Sequence, residues 1–217
     1  MTEALGKFLL SIFQNEYVAT LFVSMFPLIE LKGAIPIGTG LFGLGLWETA
    51  GIAYLGSTII SILIFFLLIP IFNLLKKIGF IRKIIEKVEM IFEEKAKKIA
   101  QKTNGSPEKE ARKIMMISLF IFVAVPFPVT GVWTGTAIAV FLGLKFRESV
   151  LPIACGNLIA GSIITLLTFL VGDYVDIIIY ALFAIAIIML ILFIVKLITA
   201  KPQTAIKDVA EKGEEKE

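Results

Sequence analysis

Apolar residues run along the chain in blocks of two lengths, and this difference is the first indication of the fold. Three blocks exceed the roughly 20 residues that a membrane-crossing helix needs, and they cover residues 49–75, 149–171 and 177–198. Four blocks have only ten to thirteen residues, and they cover 17–26, 34–46, 114–125 and 132–144. A helix of the shorter kind rises about 15–20 Å, too little to cross a hydrocarbon core of about 30 Å. We therefore expect an all-α integral membrane protein whose short helices enter the membrane without crossing it.

Charged and helix-breaking residues separate the short blocks from one another. The stretch "SMFPLIELKGAIPIGTG" covers residues 24–40 and holds Glu30 and Lys32 among apolar residues, and "PFPVTG" covers 126–131. These breaks predict that the short blocks pair as re-entrant helical hairpins, which enter and leave the membrane on one side. Non-helical backbone at a hairpin tip is tolerated there only where it is buried in protein or faces water.

The two halves of the chain repeat each other. Residues 41–67 align without a gap on residues 141–167, at an offset of 100 residues, and seven of the 27 positions are identical. The identities that chance produces least easily are Gly43/Gly143, Glu48/Glu148 and Gly56/Gly156. Each half has a hairpin followed by a long helix, and counting the crossings gives the halves opposite orientations. That order predicts an inverted-topology repeat, which in transporters places the binding site between the repeats.

We expect a single membrane domain over residues 1–200. Its parts are repeat one (about 16–75), a cytoplasmic amphipathic helix and loop (76–113), repeat two (about 114–172) and a last transmembrane helix (174–198). Apolar residues at helical spacing among Lys and Glu predict the amphipathic helix over 78–100, which lies on the membrane or packs on the body. Residues 201–217 form a charged tail that we expect to be disordered. Whether segment 3–15 spans the membrane or lies in the interface stays open.

Charge fixes the expected orientation. Residues 76–113 hold 12 of the 21 Lys and Arg residues but only 6 of the 18 acids. The positive-inside rule places this loop, and with it the C-terminus, in the cytoplasm. We therefore expect a multi-pass protein of the cell (plasma) membrane.

Composition excludes several classes of function. The chain is 58% hydrophobic with a mean hydropathy of +0.92, more apolar surface than a soluble domain of this length can bury. It has no histidine and a single cysteine, Cys155, so histidine-based zinc sites, catalytic triads and disulfides are excluded. There is no Gly-x-Ser-x-Gly motif, and Asp173 and Asp176 fall in a predicted turn. We expect no enzyme, no cofactor, no metal site and no nucleic-acid partner.

The candidate chemistry lies at the hairpin tips. On insertion scales a charged residue at the membrane centre costs about 2.5–3.5 kcal/mol, so Glu30 and Lys32 need a reason to be there. Two residues apart on a helix they would point to different sides, so we expect the helix to break and a half-helix to begin near Pro36. In the second half, Thr130 would cap a half-helix that begins near Gly131. Two such N-termini would form an anion site; alternatively, the charges only anchor the chain at the interface.

The candidate substrate-binding or coupling residues are Glu30, Lys32, Gly33, Pro36, Pro126, Pro128, Thr130, Trp133, Thr134 and Asn157. Secondary candidates at the starts of the long helices are Glu48, Arg147 and Glu148. Glu48 and Glu148 have a structural interpretation as well, because acidic residues stabilise the N-terminus of any helix.

Both tip motifs resemble those of a known family. "ELKGAIPIG" resembles the E-L-(R/K)-G-A-I-P-x-G signature of the small multidrug export protein family, and "PFPVTGVWTG" resembles its P-x-P-x-T-G-x-W-T-G stretch. The resemblance covers about Tyr17 to Val171. The family is similar in organisation to DedA-like (VTT-type) membrane proteins, whose paired re-entrant hairpins are linked to lipid-carrier translocation and proton-dependent transport. Lys32 stands where arginine is common, which weakens any argument for a bidentate contact with phosphate.

The resemblance and the charge pair predict a small secondary transporter, proton-coupled, with Glu30 as its main coupling carboxylate. Its substrate would be an anionic amphipathic molecule such as a lipid-linked phosphate, bound by Lys32 and the two tips. Two alternatives stay open: export of small cationic drugs that pair with Glu30, and an uncoupled lipid scramblase or membrane organiser. The expected partners are membrane lipids, a small-molecule or lipid-linked substrate, and protons or sodium. A homo-oligomer stays open.

Overall fold

The computed structural model describes residues 2–27, 29–100, 108–127, 130–172 and 175–199, and all regular structure in these ranges is helical. The helices are α1 (Thr2–Phe13), α2 (Glu16–Met25), α3 (Glu30–Gly40), α4 (Leu46–Leu75), α5 (Gly79–Ala100), α6 (Glu108–Ala124), α7 (Val132–Phe141), α8 (Phe146–Val171) and α9 (Val175–Thr199). The predicted all-α class is confirmed. The tail expected over 201–217 lies outside the described residues.

The chain turns sharply between α1 and α2. Gln14 has a φ of 55°, and the Asn15 side chain accepts hydrogen bonds from the backbone N–H groups of Tyr17 (2.9 Å) and Val18 (3.1 Å). This is the usual N-cap arrangement, which satisfies donors that the first helical turn leaves free. The two helices are bent by 101° at this point, so together they form a broken span or a re-entrant loop.

Two described helices are long and apolar enough to cross a membrane, namely α4 with 30 residues and α8 with 26. At 1.5 Å per residue they are about 45 and 39 Å long, more than the hydrocarbon thickness of about 30 Å. Exposed apolar side chains cover their outer faces, for example Phe66, Leu166 and Phe169. The third long block forms α9, a helix of 25 residues, and its crossing of the membrane stays a prediction.

Helix ends recur at nearly the offset of the sequence repeat. The corresponding ends are Met25 and Ala124 for α2 and α6, Gly40 and Phe141 for α3 and α7, and the starts Leu46 and Phe146 for α4 and α8. The turns before the long helices also match, because Gly43 and Gly143 have φ values of 69° and 67°. Glycine adopts this left-handed conformation without the steric cost that other residues incur. The two halves therefore share one local plan.

The halves pack by exchanging partners. Within each half both short helices pack on the long helix, and α3 and α7 also pack on the long helix of the other half, α8 and α4 respectively. The outer helices follow the same exchange, since α5 packs against α7 and α9 against α3. A Cβ at Gly56 or Gly156 would lie 2.6 Å from the carbonyl oxygen of Leu21 or Phe120. These two glycines therefore let the helices approach closely, as small residues do in membranes.

The α3 helix lies at the centre of the molecule. Its residues 30–38 are all buried, and Leu31 and Ile35 belong to a core cluster that α8 completes with Ala160 and Ile164. A second cluster forms around α6, α7 and α8 and includes Leu119, Val132 and Ile153. The first nine residues of this 11-residue helix are therefore surrounded by other parts of the protein.

The predicted position of the helix break in the first half was wrong. The α3 helix begins at Glu30 and runs through Pro36, so the break lies before Glu30 instead of between Gly33 and Pro36. Proline favours an extended backbone at the residue before it. Phe26, which precedes Pro27, is extended with φ −72° and ψ 135°, so α2 ends there. Pro36 only removes one interior hydrogen bond, which the buried helix tolerates.

Candidate functional site

Hydrogen bonds join the two breaks that precede α3 and α7. Three side chains bond across them: Lys32 and Trp133 donate to backbone carbonyls of the opposite half, and Glu30 accepts from a backbone N–H there. We call this set, with the residues at the second break, the tip network; its members are Glu30, Lys32, Phe127, Thr130 and Trp133. Residues about 100 positions apart are thus held in one hydrogen-bonded group.

Glu30 has an unusual backbone and two separate partners. Its φ is 49°, in the left-handed region that non-glycine residues rarely adopt. The residue is 5% exposed, and its Oε1 accepts a hydrogen bond from the backbone N–H of Trp133 at 3.1 Å. Its Oε2 lies 3.4 Å from Lys32 Nζ. Each oxygen of the carboxylate therefore has its own positive or donating partner.

Lys32 pairs with Glu30, contrary to the expectation that the two side chains point apart. Because Glu30 is the first residue of α3 and has a left-handed φ, regular helical spacing does not apply between the two positions. Lys32 is 4% exposed and also donates a hydrogen bond to the Phe127 carbonyl oxygen at 2.8 Å. The buried ammonium thus has both a counter-charge and an acceptor, as a buried charge requires.

Thr130 does not cap α7 as predicted. Its hydroxyl contacts the carbonyl oxygens of Val125 and Phe127, each at 2.8 Å, so it shares the Phe127 acceptor with Lys32. Gly131 occupies the N-cap position and makes no side-chain bond. The N–H of Trp133, in the first turn of α7, is satisfied instead by the Glu30 carboxylate. The physical reason is that a full negative charge complements the helix N-terminus better than a neutral hydroxyl.

Gly131 lets the carboxylate reach this position. A Cβ at Gly131 would overlap the carboxylate atoms of Glu30, so any other residue would push that group away. The protein's own carboxylate consequently occupies the anion-binding position at the α7 N-terminus.

Trp133 ties the tip network to α2. Its indole Nε1–H donates to the carbonyl oxygen of Met25 at 3.0 Å. Met25 is the last residue of α2, where carbonyl groups lack partners within the helix. One residue of the second half thus closes the end of a helix in the first.

A cavity of about 360 Å³ lies beside the tip network. Its lining residues come from the tips, α4, α7 and α9, and they are Pro27, Glu30, Ile64, Leu68, Phe72, Trp133, Thr134, Ala137, Met189, Leu190 and Phe193. Among these residues Glu30 alone is ionisable, and Lys32 is absent from the wall. The cavity therefore presents one carboxylate in apolar and aromatic surroundings.

Asn157 lies elsewhere, in the contact between α4 and α8. Its Nδ2 donates to Ser57 Oγ at 2.7 Å, in a buried pair, and the Tyr54 hydroxyl donates to the Ala154 carbonyl at 3.5 Å. Both pairs join positions 100 apart, the offset of the sequence repeat. Contacts between equivalent positions are what an approximate two-fold axis between two copies produces. Asn157 does not line the cavity.

The remaining candidates among the described residues lie outside the cavity wall. Gly33 and Pro36 are buried within α3, and Pro126 is half-buried at the second break. Pro128 lies outside the described residues. Glu48 and Arg147 are exposed in the first turns of α4 and α8.

Glu148 caps α8. Its carboxylate accepts a hydrogen bond from the backbone N–H of Lys145 at 2.9 Å and pairs with Arg112 at 2.9 Å. This geometry favours the structural interpretation of the acid over a role in substrate binding.

Two groups of site atoms had no signal in the sequence. The carbonyl oxygens of Met25 and Phe127 accept hydrogen bonds in the site. Both belong to apolar residues, and an apolar side chain gives no indication that its backbone carbonyl is an acceptor. The cavity wall from α9, formed by Met189, Leu190 and Phe193, looks like any lipid-facing stretch. Only the fold shows which residues of that helix line the cavity.

The fold and the site together define an all-helical membrane protein with a cavity whose wall contains one buried carboxyl group. The model of the family described as "Putative small multi-drug export protein" matches residues 30–163, which is more than half of the 217 residues. The chain belongs to this family, as the tip motifs predicted. The match begins at Glu30 and includes the whole second break and most of α8. No curated protein and no solved structure matches the sequence.

Proposed function

We propose that this protein is a small secondary transporter that exports an amphipathic organic cation through the cavity beside Glu30. The observation that carries the proposal is a buried carboxylate in the wall of an otherwise apolar cavity. Its volume falls within the range of roughly 300–1,000 Å³ typical of small-molecule sites. The aromatic side chains of Phe72, Trp133 and Phe193 add favourable surfaces for a cation. Membership of an export family supports transport over enzymatic chemistry.

The transport mechanism we propose uses two re-entrant hairpins in an inverted repeat. Support comes from helix ends that recur about 100 residues apart and from the exchange of partners between the halves. The buried α3 supports a segment that enters the membrane and returns. We further propose a multi-pass plasma-membrane protein, coupled to protons, with residues 76–113 and the C-terminus in the cytoplasm.

The second candidate substrate is an anionic lipid-linked phosphate, and the buried cation of Lys32 is the observation in its favour. Two features favour it less than the organic cation. Lys32 does not line the cavity and already bonds to Glu30 and the Phe127 carbonyl. Glu30 also fills the anion position at the α7 N-terminus. An uncoupled scramblase would need neither charge.

Transport by purified protein in liposomes tests these possibilities. We expect an inside-acidic pH gradient to drive uptake of ethidium, a permanent aromatic cation, and not of a polyprenyl phosphate. The double variant Glu30→Gln with Lys32→Met removes both charges together, so no unpaired charge remains buried, and it should lose uptake. Glu48→Gln, the same substitution at an exposed acid, is the matched control and should transport normally. The proposal would be overturned by uptake of the phosphate alone, or by lipid exchange at the same rate with and without the pH gradient.

A further inference from the structure

We infer that Lys32 is the proton carrier of this protein, and that it releases one proton for each organic cation that binds at Glu30. The inference rests on the proposed function and deepens it by assigning the coupling step. It differs from the sequence-based expectation, in which Glu30 itself carries the proton.

The carboxylate can change one partner and keep the other. Oε1 accepts from the Trp133 N–H and caps α7, whereas Oε2 faces the Lys32 ammonium. Because Glu30 forms part of the cavity wall, a bound cation competes with Lys32 for its charge. The cap on α7 does not have to break for this exchange, so the tips keep their arrangement.

The site cannot hold two cations against one carboxylate. Lys32 and Glu30 are both buried, and repulsion between like charges is weakly screened in such a setting. The described groups that face the pair add no compensating charge. The backbone N–H of Trp133 and the carbonyl oxygen of Phe127 contact the pair, and the cavity wall from α4 and α9 is apolar. Binding of an organic cation therefore drives a positive charge out of the pair.

Loss of a proton is the change that the surroundings of Lys32 tolerate. One N–H bond of the ammonium breaks, its electron pair stays on Nζ, and the proton leaves to water. The neutral amine can still donate a hydrogen bond to the Phe127 carbonyl oxygen, which lies 2.8 Å from Nζ in the structure. The site exchanges one cation for one proton, and its net charge does not change. Arginine could not do this, because a guanidinium does not deprotonate in proteins.

Calorimetry on the purified full-length protein tests the inference. Tetraphenylphosphonium is titrated in buffers of different ionisation enthalpy, which gives the number of protons released on binding. We expect about one proton per cation for the wild type, with a dissociation constant that falls about tenfold per unit rise in pH by linkage. Lys32→Gln should bind the cation, release no proton and lose the pH dependence. Lys83→Gln, at an exposed position on α5, should behave as the wild type.

Lys32→Arg provides a second variant that keeps the ion pair and so guards against a folding defect. Its permanent charge should weaken cation binding at least tenfold and release no proton. Proton release that persists in Lys32→Gln would make Glu30 the carrier and overturn the inference, and so would wild-type affinity in Lys32→Arg. A wild type that binds no cation would instead overturn the proposed function and this inference with it.

Discussion

At the scale of single residues, Glu30 combines strain with unusually complete bonding. A left-handed φ at a non-glycine residue costs on the order of 1–3 kcal/mol and persists only where the surroundings enforce it. Here the enforcing contacts are the Trp133 N–H, the Lys32 ammonium and the close approach of Gly131. The sequence identified Glu30 and Lys32 because charges in an apolar stretch are conspicuous. Their pairing was missed because the spacing argument assumed a regular helix at a residue that does not follow one.

Gly131→Ala tests the closest of these contacts. A methyl group there overlaps the Glu30 carboxylate, and overpacking of this kind costs about 1–3 kcal/mol. We expect a lower unfolding temperature in detergent and weaker binding of tetraphenylphosphonium, because the carboxylate is displaced. Gly51→Ala is the matched control, since a Cβ there meets nothing within 4 Å. In a helix this change favours folding by up to about 1 kcal/mol. Equal behaviour of the two variants would contradict the role given to Gly131.

At the scale of helices, the length of an apolar run decided how well the sequence located each element. The predicted blocks 49–75 and 149–171 became α4 (Leu46–Leu75) and α8 (Phe146–Val171), because an uninterrupted apolar run leaves little doubt. The block predicted over 34–46 became α3 (Glu30–Gly40). The sequence predicts a break at Gly33 and Pro36, but the buried helix runs through both residues. No sequence pattern indicates that burial.

The contact between α4 and α8 gives a prediction at this scale. If Ser57 and Asn157 lie on a two-fold axis, the exchange Ser57→Asn with Asn157→Ser places the same two groups across the same contact. The double variant should unfold at nearly the wild-type temperature. Asn157→Ala alone should cost about 0.6 kcal/mol, and at most about 1.7, as polar contacts between membrane helices do. Ser162→Ala, at an exposed position on α8, is the control. A double variant less stable than Asn157→Ala would exclude the axis.

At the scale of the whole molecule, the two halves form one body. Each half contributes a short helix that packs on the long helix of the other, so neither half buries its own central helix alone. The repeat was visible in the sequence through Gly43, Glu48 and Gly56 with their counterparts 100 residues later. The packing of each short helix on the long helix of the other half was not visible in the sequence. A repeat indicates that two units are alike but does not indicate how they pack together.

Orientation in the membrane is the prediction that belongs to this scale. Trp47 and Arg147 are exposed at the starts of α4 and α8, and opposite orientations of the halves put them on opposite sides. With the exposed Cys155 replaced by serine, single cysteines at positions 47 and 147 should react with a membrane-impermeant maleimide from opposite sides. Position 147 should react from the cytoplasm, together with a cysteine in the 76–113 loop. Labelling of both positions from one side would exclude the inverted repeat.

The hydrogen bond between position 57 and its counterpart at position 157 is one that two identical half-length chains can also form with each other. If the repeat is inverted, as we propose, an ancestor of half the length that inserted into the membrane in both orientations would already have possessed that contact. Duplication and fusion of its gene would then have let the two copies mutate separately. Such a history would account for serine facing asparagine, and for the charged α5 beside α7 where the apolar α9 lies beside α3.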